Sequence, residues 1–236
     1  MNEIDIEKTY DRLHYKNFVR RVKESDGNEK MVFEYKLTAP WHRIVIEFLD
    51  EIELHGKRVL EIGCGYGSLS VYMAKRGAKV TGIDISSEAI KISKRNSFLN
   101  NQRVMFKKFC AEDLPFKDKN FDVIICCETL EHILNYKKVI NEIIRVTKDS
   151  GRFVITIPNS LNPRGFYLRI KSKQPVENFF NYWTILNEFK KKGIKIIKVK
   201  SKSFLTDYDE KNYLDEALNK TPFKYLSLRI GFLAKK

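Results

Sequence analysis

Gly63, Gly65 and Gly67 alternate through VLEIGCGYGSLS, directly behind an apolar run. A glycine turn between a strand and a helix lets a ligand approach the main chain closely, which is how nucleotide-like cofactors are held. Here the spacing is G-x-G-x-G, and Ser68 stands where a dinucleotide fingerprint carries its third glycine. No lysine lies between Arg58 and Lys75, so the G-K-[ST] of a polyphosphate-binding loop is missing. Acids surround the turn: Glu61 precedes it, Asp84 ends the next strand-like run, and Glu112 and Asp113 follow the third. Asp84 lies about 20 residues beyond the first glycine, the distance at which an acid receives a ribose diol. Carboxylates there bind hydroxyls, amines and cations, and they repel a pyrophosphate. The expected ligand is therefore free of phosphate, cationic and built on a ribose.

S-adenosyl-L-methionine, with a sulfonium, an ammonium and a ribose diol, meets that description. A second cluster, ETLEH, follows the fourth strand-like run and holds Glu128, Glu131 and His132. On a helical turn these three would share a face, and two carboxylates with an imidazole can bind a divalent cation such as Mg2+. Without a metal, His132 is a candidate general base, supported by Glu131, because its unperturbed pKa is near neutrality. Helix capping by Glu131 and His132 is the structural alternative.

VLEIGCGYG, GIDIS, AEDLPF and FDVIICCETLEH occur in order with a spacing that resembles class I S-adenosylmethionine-dependent methyltransferases of the type 11 group. The resemblance covers about residues 57 to 157. It implies that Gly63, Gly65 and Gly67 run along the methionine moiety, with Glu61 orienting its amino group. It further implies Asp84 on the ribose hydroxyls and Ile85 against adenine. Glu112, Asp113 and Leu114 would border the base, and Cys127 would lie beside the transferable methyl. ETLEH is most similar to the E-x-x-E-H of ubiquinone-biosynthesis O-methyltransferases, which implies a small-molecule oxygen acceptor and a magnesium-like ion near a catechol.

These residues must be carried by alternating strands and helices, and the pattern from 57 to 157 supplies them. KRVLEI, AKVTGID, QRVMFKKFC, FDVIICC and RFVITI read as strands, and IKIIKVKS and KYLSLRIGFLAKK as a sixth and a closing seventh. Ser86 is a candidate N-cap for a helix reaching Leu99, and Val139, Ile140, Ile143, Ile144 and Val146 line the core face of a helix over 136–148. The expected fold is α/β: a Rossmann-like, seven-stranded, mostly parallel sheet with helices on both faces. Residues 1–55 are expected to form an N-terminal helical lid, with Tyr15, Phe18, Val19 and Val22 on the apolar face of its first helix and Thr38 capping a second. Residues 56–236 form the methyltransferase domain. Its Pro- and Gly-marked insertion at about 158–183 reads as irregular and contributes to the lid. Phe166, Tyr167, Phe179, Phe180, Tyr182 and Trp183, among Arg164, Arg169, Lys171 and Lys173, suit an aromatic or lipid-like acceptor, or unpaired bases of RNA.

The formal charge of +14 favours anionic partners. The lysine run KKKGIKIIKVKSK at 190–202 keeps an RNA methyltransferase as the runner-up, although lysine also protects exposed sheet edges. IICCE in place of N/D-P-P-Y argues against exocyclic methylation of adenine. A nicotinamide-dependent oxidoreductase and a cofactor-binding module without catalysis are further alternatives. The four cysteines show no zinc-like spacing and read as reduced thiols of a cytoplasmic protein. MNEIDIEKTYD has no secretory pattern, and no apolar run is long enough to span a membrane.

Overall fold

A computed structural model describes residues 3–30, 33, 39–171, 174–202 and 221–236. Thr38 and Lys173, and the side chain of Arg169, lie outside the described residues. The strands are β1 (Arg58–Ile62), β2 (Lys79–Asp84), β3 (Met105–Lys108), β4 (Phe121–Cys127), β5 (Thr147–Pro158), β6 (Lys195–Lys202) and β7 (Arg229–Lys235). They form one seven-stranded sheet in the order β3-β2-β1-β4-β5-β7-β6. The pairings β1–β2, β1–β4, β2–β3 and β4–β5 are parallel, and only β7 runs antiparallel to its neighbours β5 and β6.

The helices are α1 (Glu3–Glu24), α2 (Pro40–Leu49), α3 (Ser68–Lys75), α4 (Ser87–Leu99), α5 (Tyr136–Val146), α6 (Pro163–Ile170) and α7 (Tyr182–Lys191). Strand alternation explains why both faces of the sheet are covered. Leu60, Ile62, Ile124 and Cys126 point into a core closed by α5 and α7. Val59, Val123, Ile125 and Cys127 point the other way, into a core closed by α2 and α3. Glu61 shares the second face with Val59. A carboxylate is thereby buried against Ser70 of α3.

Several boundaries differ from the sequence expectation for physical reasons. Pro163 starts α6 inside the insertion, where proline's fixed φ suits the first helical turn. On α1, Tyr15 is exposed, and burial falls instead on Ile6 and Tyr10. Phe18 and Val22 do pack inward, against Phe33 and Tyr66. Ser86 caps α4 as expected, accepting from the Ala89 N–H at 3.0 Å.

The lysine run is largely spent within the fold. Lys198 reaches Glu51 at 2.7 Å, Lys200 reaches Glu47 at 3.3 Å, and Lys202 reaches Glu47 at 2.7 Å, which straps edge strand β6 to the region of α2. All four cysteines are free. Among the described residues no helix is long and apolar enough to cross a membrane.

Candidate active site

Strand order reverses between β1 and β4, and the crevice at the carboxyl ends of parallel strands around such a point is where ligands bind. A cavity of about 650 Å³ opens there, within the size range of small-molecule sites. Glu61, Gly63, Gly65, Asp84, Ile85, Glu112, Cys127, Glu128, Glu131 and His132 all line it.

The glycines serve different ends. Gly63 has φ +71°, and a Cβ there would run into the Thr129 side chain. Gly67 has φ +72°, and a Cβ would sit 2.7 Å from Phe106 and 2.9 Å from Ser93, so it permits α3 to pack closely without lining the cavity. Between them Gly65 faces open space towards His14, whose Cε1 would lie 3.8 Å from an added Cβ.

Asp84 ties the two ligand loops together. One carboxylate oxygen accepts from the Gly65 N–H at 2.9 Å and the other from the Ser86 N–H at 2.9 Å. Glu61, 3% exposed, accepts a short hydrogen bond from the Ser70 hydroxyl. Burial pushes its carboxyl up to about 8, against the pull of Ser70 and with a further rise from Asp84. Cys127 is held by the Thr156 hydroxyl, which donates to its Sγ at 3.3 Å, and burial raises its thiol pKa.

Besides Gly67, two further expected residues, Asp113 and Leu114, fall outside the cavity. After Cys110 the chain turns, Asp113 faces solvent, and Leu114 dives into the core, where its N–H donates to Glu142 at 2.8 Å. Phe109, Cys110 and Ala111 line the cavity beside Glu112. Glu112 itself accepts from the Asn135 N–H at 3.1 Å.

ETLEH does not form the helical turn that would bring its three side chains together. Glu128 takes φ +47° at the end of β4, and its carboxylate accepts from Arg229 Nε at 3.2 Å. Glu131 and His132 sit on a separate 3₁₀ turn, Leu130–His132. Among the described residues no three His, Cys, Asp or Glu side chains are gathered as a metal requires. Glu128, Glu131 and His132 are therefore not gathered on one helical face: Arg229 takes one carboxylate oxygen of Glu128, and the other two side chains sit on the following 3₁₀ turn.

The same turn suits His132 to proton chemistry. Its Nδ1 lies 3.2 Å from the Val176 carbonyl, a partner that can only accept, so in the neutral ring this nitrogen carries the hydrogen and Nε2 the lone pair. Glu131 lies 3.8 Å from Nε2, and Glu177 lies 3.8 Å from Nδ1. The segment around Val176 is fastened to the turn by Asn178, whose main-chain N–H donates to the Glu131 carbonyl at 2.7 Å.

Tyr10, His14, Trp41, His42, Gln174, Glu177 and Arg229 also line the cavity and escaped the sequence reading. A signal existed on α1, where Tyr10, His14, Asn17 and Arg21 recur at helical spacing on one face. Arg229 and Trp41 offered none, since their meeting, with the guanidinium 4.6 Å over the ring, depends on β7 returning beside β5. The insertion aromatics behave otherwise than expected. Phe166, Tyr167, Phe179 and Trp183 are exposed, Phe180 is buried in the core, and none of them lines the cavity.

Residues 60–155 match the family model described as a methyltransferase domain. A ubiquinone biosynthesis O-methyltransferase of Dechloromonas aromatica is 36% identical over 139 residues, covering 58% of this chain and 60% of the relative. One of Pseudomonas syringae pv. tomato is 32% identical over 160 residues, covering 67% of this chain and 68% of the relative. The first of these matches thus spans about 60% of the relative's length. A solved SAM-dependent methyltransferase of Thermotoga maritima superposes with a TM-score of 0.66 at 19% identity, over 93% of this chain and 99% of that one, which shows a common fold. With the glycine turn, the Asp84 clamp and the strand order in agreement, this chain belongs to the class I S-adenosylmethionine-dependent methyltransferase family.

Proposed function

We propose that the chain transfers a methyl group from S-adenosylmethionine to an oxygen of a small-molecule acceptor. The observation that carries this reading is that a single cavity holds the Gly63–Gly65 turn and Asp84 at one side and the His132 imidazole at another. When bound, the cofactor supplies a methyl group activated on a sulfonium. Asp84 would receive the ribose hydroxyls, because a carboxylate has lone pairs beyond the two that face Gly65 and Ser86. Glu61 would take the ammonium, Ile85 would lie against adenine, Glu112 would border the base, and Cys127 would stand near the methyl group. His132 Nε2 would accept the acceptor's proton, with Glu131 and Glu177 stabilising the imidazolium.

Trp41 and Tyr10 line the cavity walls and favour an aromatic acceptor, and the relatives named for O-methylation support oxygen as the acceptor atom. In this reading residues 1–55, with α1 across the strand ends, form the lid of a cytoplasmic enzyme. The test is S-adenosylhomocysteine formation across a panel of hydroxylated small molecules with bulk tRNA alongside. Turnover with a phenolic hydroxyl is expected, and turnover with tRNA alone would sink the proposal. Excess EDTA is expected to leave the rate unchanged; a loss restored by Mg2+ would show that the acids regroup around a cation.

Glu61 adds a pH signature. With a pKa of about 8 it is mostly protonated at neutral pH before an ammonium arrives, so binding the cation releases a proton. Affinity should rise roughly tenfold from pH 6 to pH 7 and level off near 8, where the ligand's own amine begins to deprotonate. The stability of the free protein runs the other way. Its raised pKa means folding is progressively disfavoured as pH climbs from the ordinary carboxylate range through about 8. Glu61→Gln, which keeps an acceptor for Ser70, should therefore melt higher than wild type at pH 8.5 while binding the cofactor more weakly and without the pH slope. Calorimetry and melting curves on the same samples decide it: a variant with wild-type affinity would refute the ammonium contact.

A further inference from the structure

α1 covers the cavity without belonging to either core of the sheet. Among the described residues no α1 side chain enters those cores, and Phe18 and Val22, in its second half, rest on Phe33 and Tyr66 instead. Its first half lays Ile6, Tyr10 and Leu13 along the cavity wall and is tied down by polar side chains. Asp11 makes the main tie, at the start of α4. One of its carboxylate oxygens accepts from the Ser86 hydroxyl at 2.7 Å and the Glu88 N–H at 3.1 Å, and the other from the Ser87 hydroxyl at 2.9 Å. Lys108 adds an ion pair to Glu7 at 2.6 Å. Burial works to raise the Asp11 carboxyl, yet the Ser86 hydroxyl, the Glu88 N–H, the Ser87 hydroxyl and the Lys108 charge outweigh it and hold the group below the usual carboxylate range. The tie is therefore charged at neutral pH.

Ser86 stands between this tie and the acid that would receive the ribose. Its hydroxyl donates to Asp11 and accepts from the Ala89 N–H at 3.0 Å, while its own N–H donates to Asp84 at 2.9 Å. The N–H groups left over at the start of α4 are thus shared between Asp84 and Asp11. A ligand on Asp84 steadies the Ser86 backbone that Asp11 grips, and a ligand filling the cavity touches the first half of α1 only while that helix is down. A ligand that gains contacts in the closed position is, by reciprocity, held more tightly the more firmly α1 is latched. We infer that Asp11 is a positioning residue that latches α1 over the bound cofactor, so that closure of the cover and occupancy of the cofactor site favour each other. The inference rests on the reading of the cavity as an S-adenosylmethionine site. Asp11 does not line the cavity and acts through Ser86 and α1. Residues 60–155, the segment matched by the family model, hold the serines and stop short of α1, so the latch joins a family element to a segment outside the match.

The test uses the full chain with S-adenosylhomocysteine as the probe. α1 carries trypsin sites at Arg12, Lys16, Arg20, Arg21 and Lys23, so its opening is read directly as cleavage within the helix. Saturating S-adenosylhomocysteine should slow that cleavage in wild type. Asp11→Ala should bind the probe about tenfold more weakly in titration calorimetry, the scale of one hydrogen bond to a charged group. Its ligand-bound form should be cut about tenfold faster than ligand-bound wild type, because cleavage follows the open population. KM for S-adenosylmethionine should rise with the dissociation constant while kcat stays within about twofold, since cofactor at saturation still keeps α1 mostly closed. Ser87→Ala leaves α1 untouched and removes one of the bonds to Asp11. It should move both readouts the same way by a smaller factor and add nothing in the Asp11→Ala background. Wild-type cleavage that ignores the ligand overturns the inference, as do wild-type affinity in Asp11→Ala or additive losses from Ser87→Ala. A loss confined to kcat also overturns it, because it would mark α1 as a scaffold for the acceptor side alone. Wild type that binds no S-adenosylhomocysteine would refute the S-adenosylmethionine reading itself, which the other outcomes leave standing.

Discussion

Replacing His132 with Gln is expected to lower kcat by roughly two to four orders of magnitude, the usual worth of a positioned general base, while the Kd for S-adenosylmethionine stays near that of wild type. The effect turns on which ring nitrogen is occupied. Nδ1 faces the Val176 carbonyl at 3.2 Å, a group that can only accept, which leaves Nε2 as the nitrogen that can take up a proton. A Gln amide N–H2 can still donate to that carbonyl, so the 3₁₀ turn and its tie to the Val176 segment through Asn178 should survive. What disappears is a site for the proton. Acceptors that are already ionised should lose far less than neutral hydroxyls. A variant as fast as wild type on a neutral hydroxyl would reassign the base. An equal loss across ionised and neutral acceptors would assign His132 to positioning.

How far the sequence disclosed this site depends on how local each interaction is. β1, its glycine turn, Asp84 and the Ser86 cap are set within a short stretch by φ requirements, strand period and capping; the strand, the turn and the cap form at these positions, while Gly67 serves the packing of α3 instead of lining the cavity. ETLEH misled because its spacing implies a helical face only if the backbone is helical throughout. At Glu128 the chain is leaving a strand, and the Thr156 carbonyl and hydroxyl hold its N–H at 3.2 and 3.1 Å. Leu114 misled in the same way: its apolar side chain goes where the core under α5 draws it, whatever motif surrounds it. Arg229, Trp41 and Glu177 were out of reach because β7, α2 and the insertion meet the site only through tertiary packing. The lysines of β6 suggested a partner until Glu47 and Glu51, more than 140 residues away in sequence, supplied one within the chain.

Asp84→Asn is expected to weaken cofactor binding by about 100-fold or more, since losing two hydrogen bonds to a charged group amounts to roughly 3 kcal/mol. The wild-type carboxylate can serve two N–H groups and a ribose diol because all of its lone pairs accept. An Asn side chain keeps one accepting oxygen and turns an N–H2 towards either Gly65 or Ser86, each of which also presents an N–H at 2.9 Å. One loop must then withdraw. If it is the Gly65 loop, the cradle for the methionine moiety opens. If it is Ser86, α4 loses alignment at the end where Asp11 docks α1. Either way the damage reaches the cofactor through the backbone as well as through the missing hydroxyl contact, so the loss should exceed that of removing the 2′- and 3′-hydroxyls from the ligand. Melting of the free protein should fall by only a few degrees, because one unmet buried N–H costs about 1–3 kcal/mol in a chain of this size. Titrating wild type and variant with the cofactor and with its dideoxyribose analogue separates the two contributions. If the variant bound the natural cofactor as tightly as wild type, Asp84 would be reduced to a loop clamp with no part in recognition.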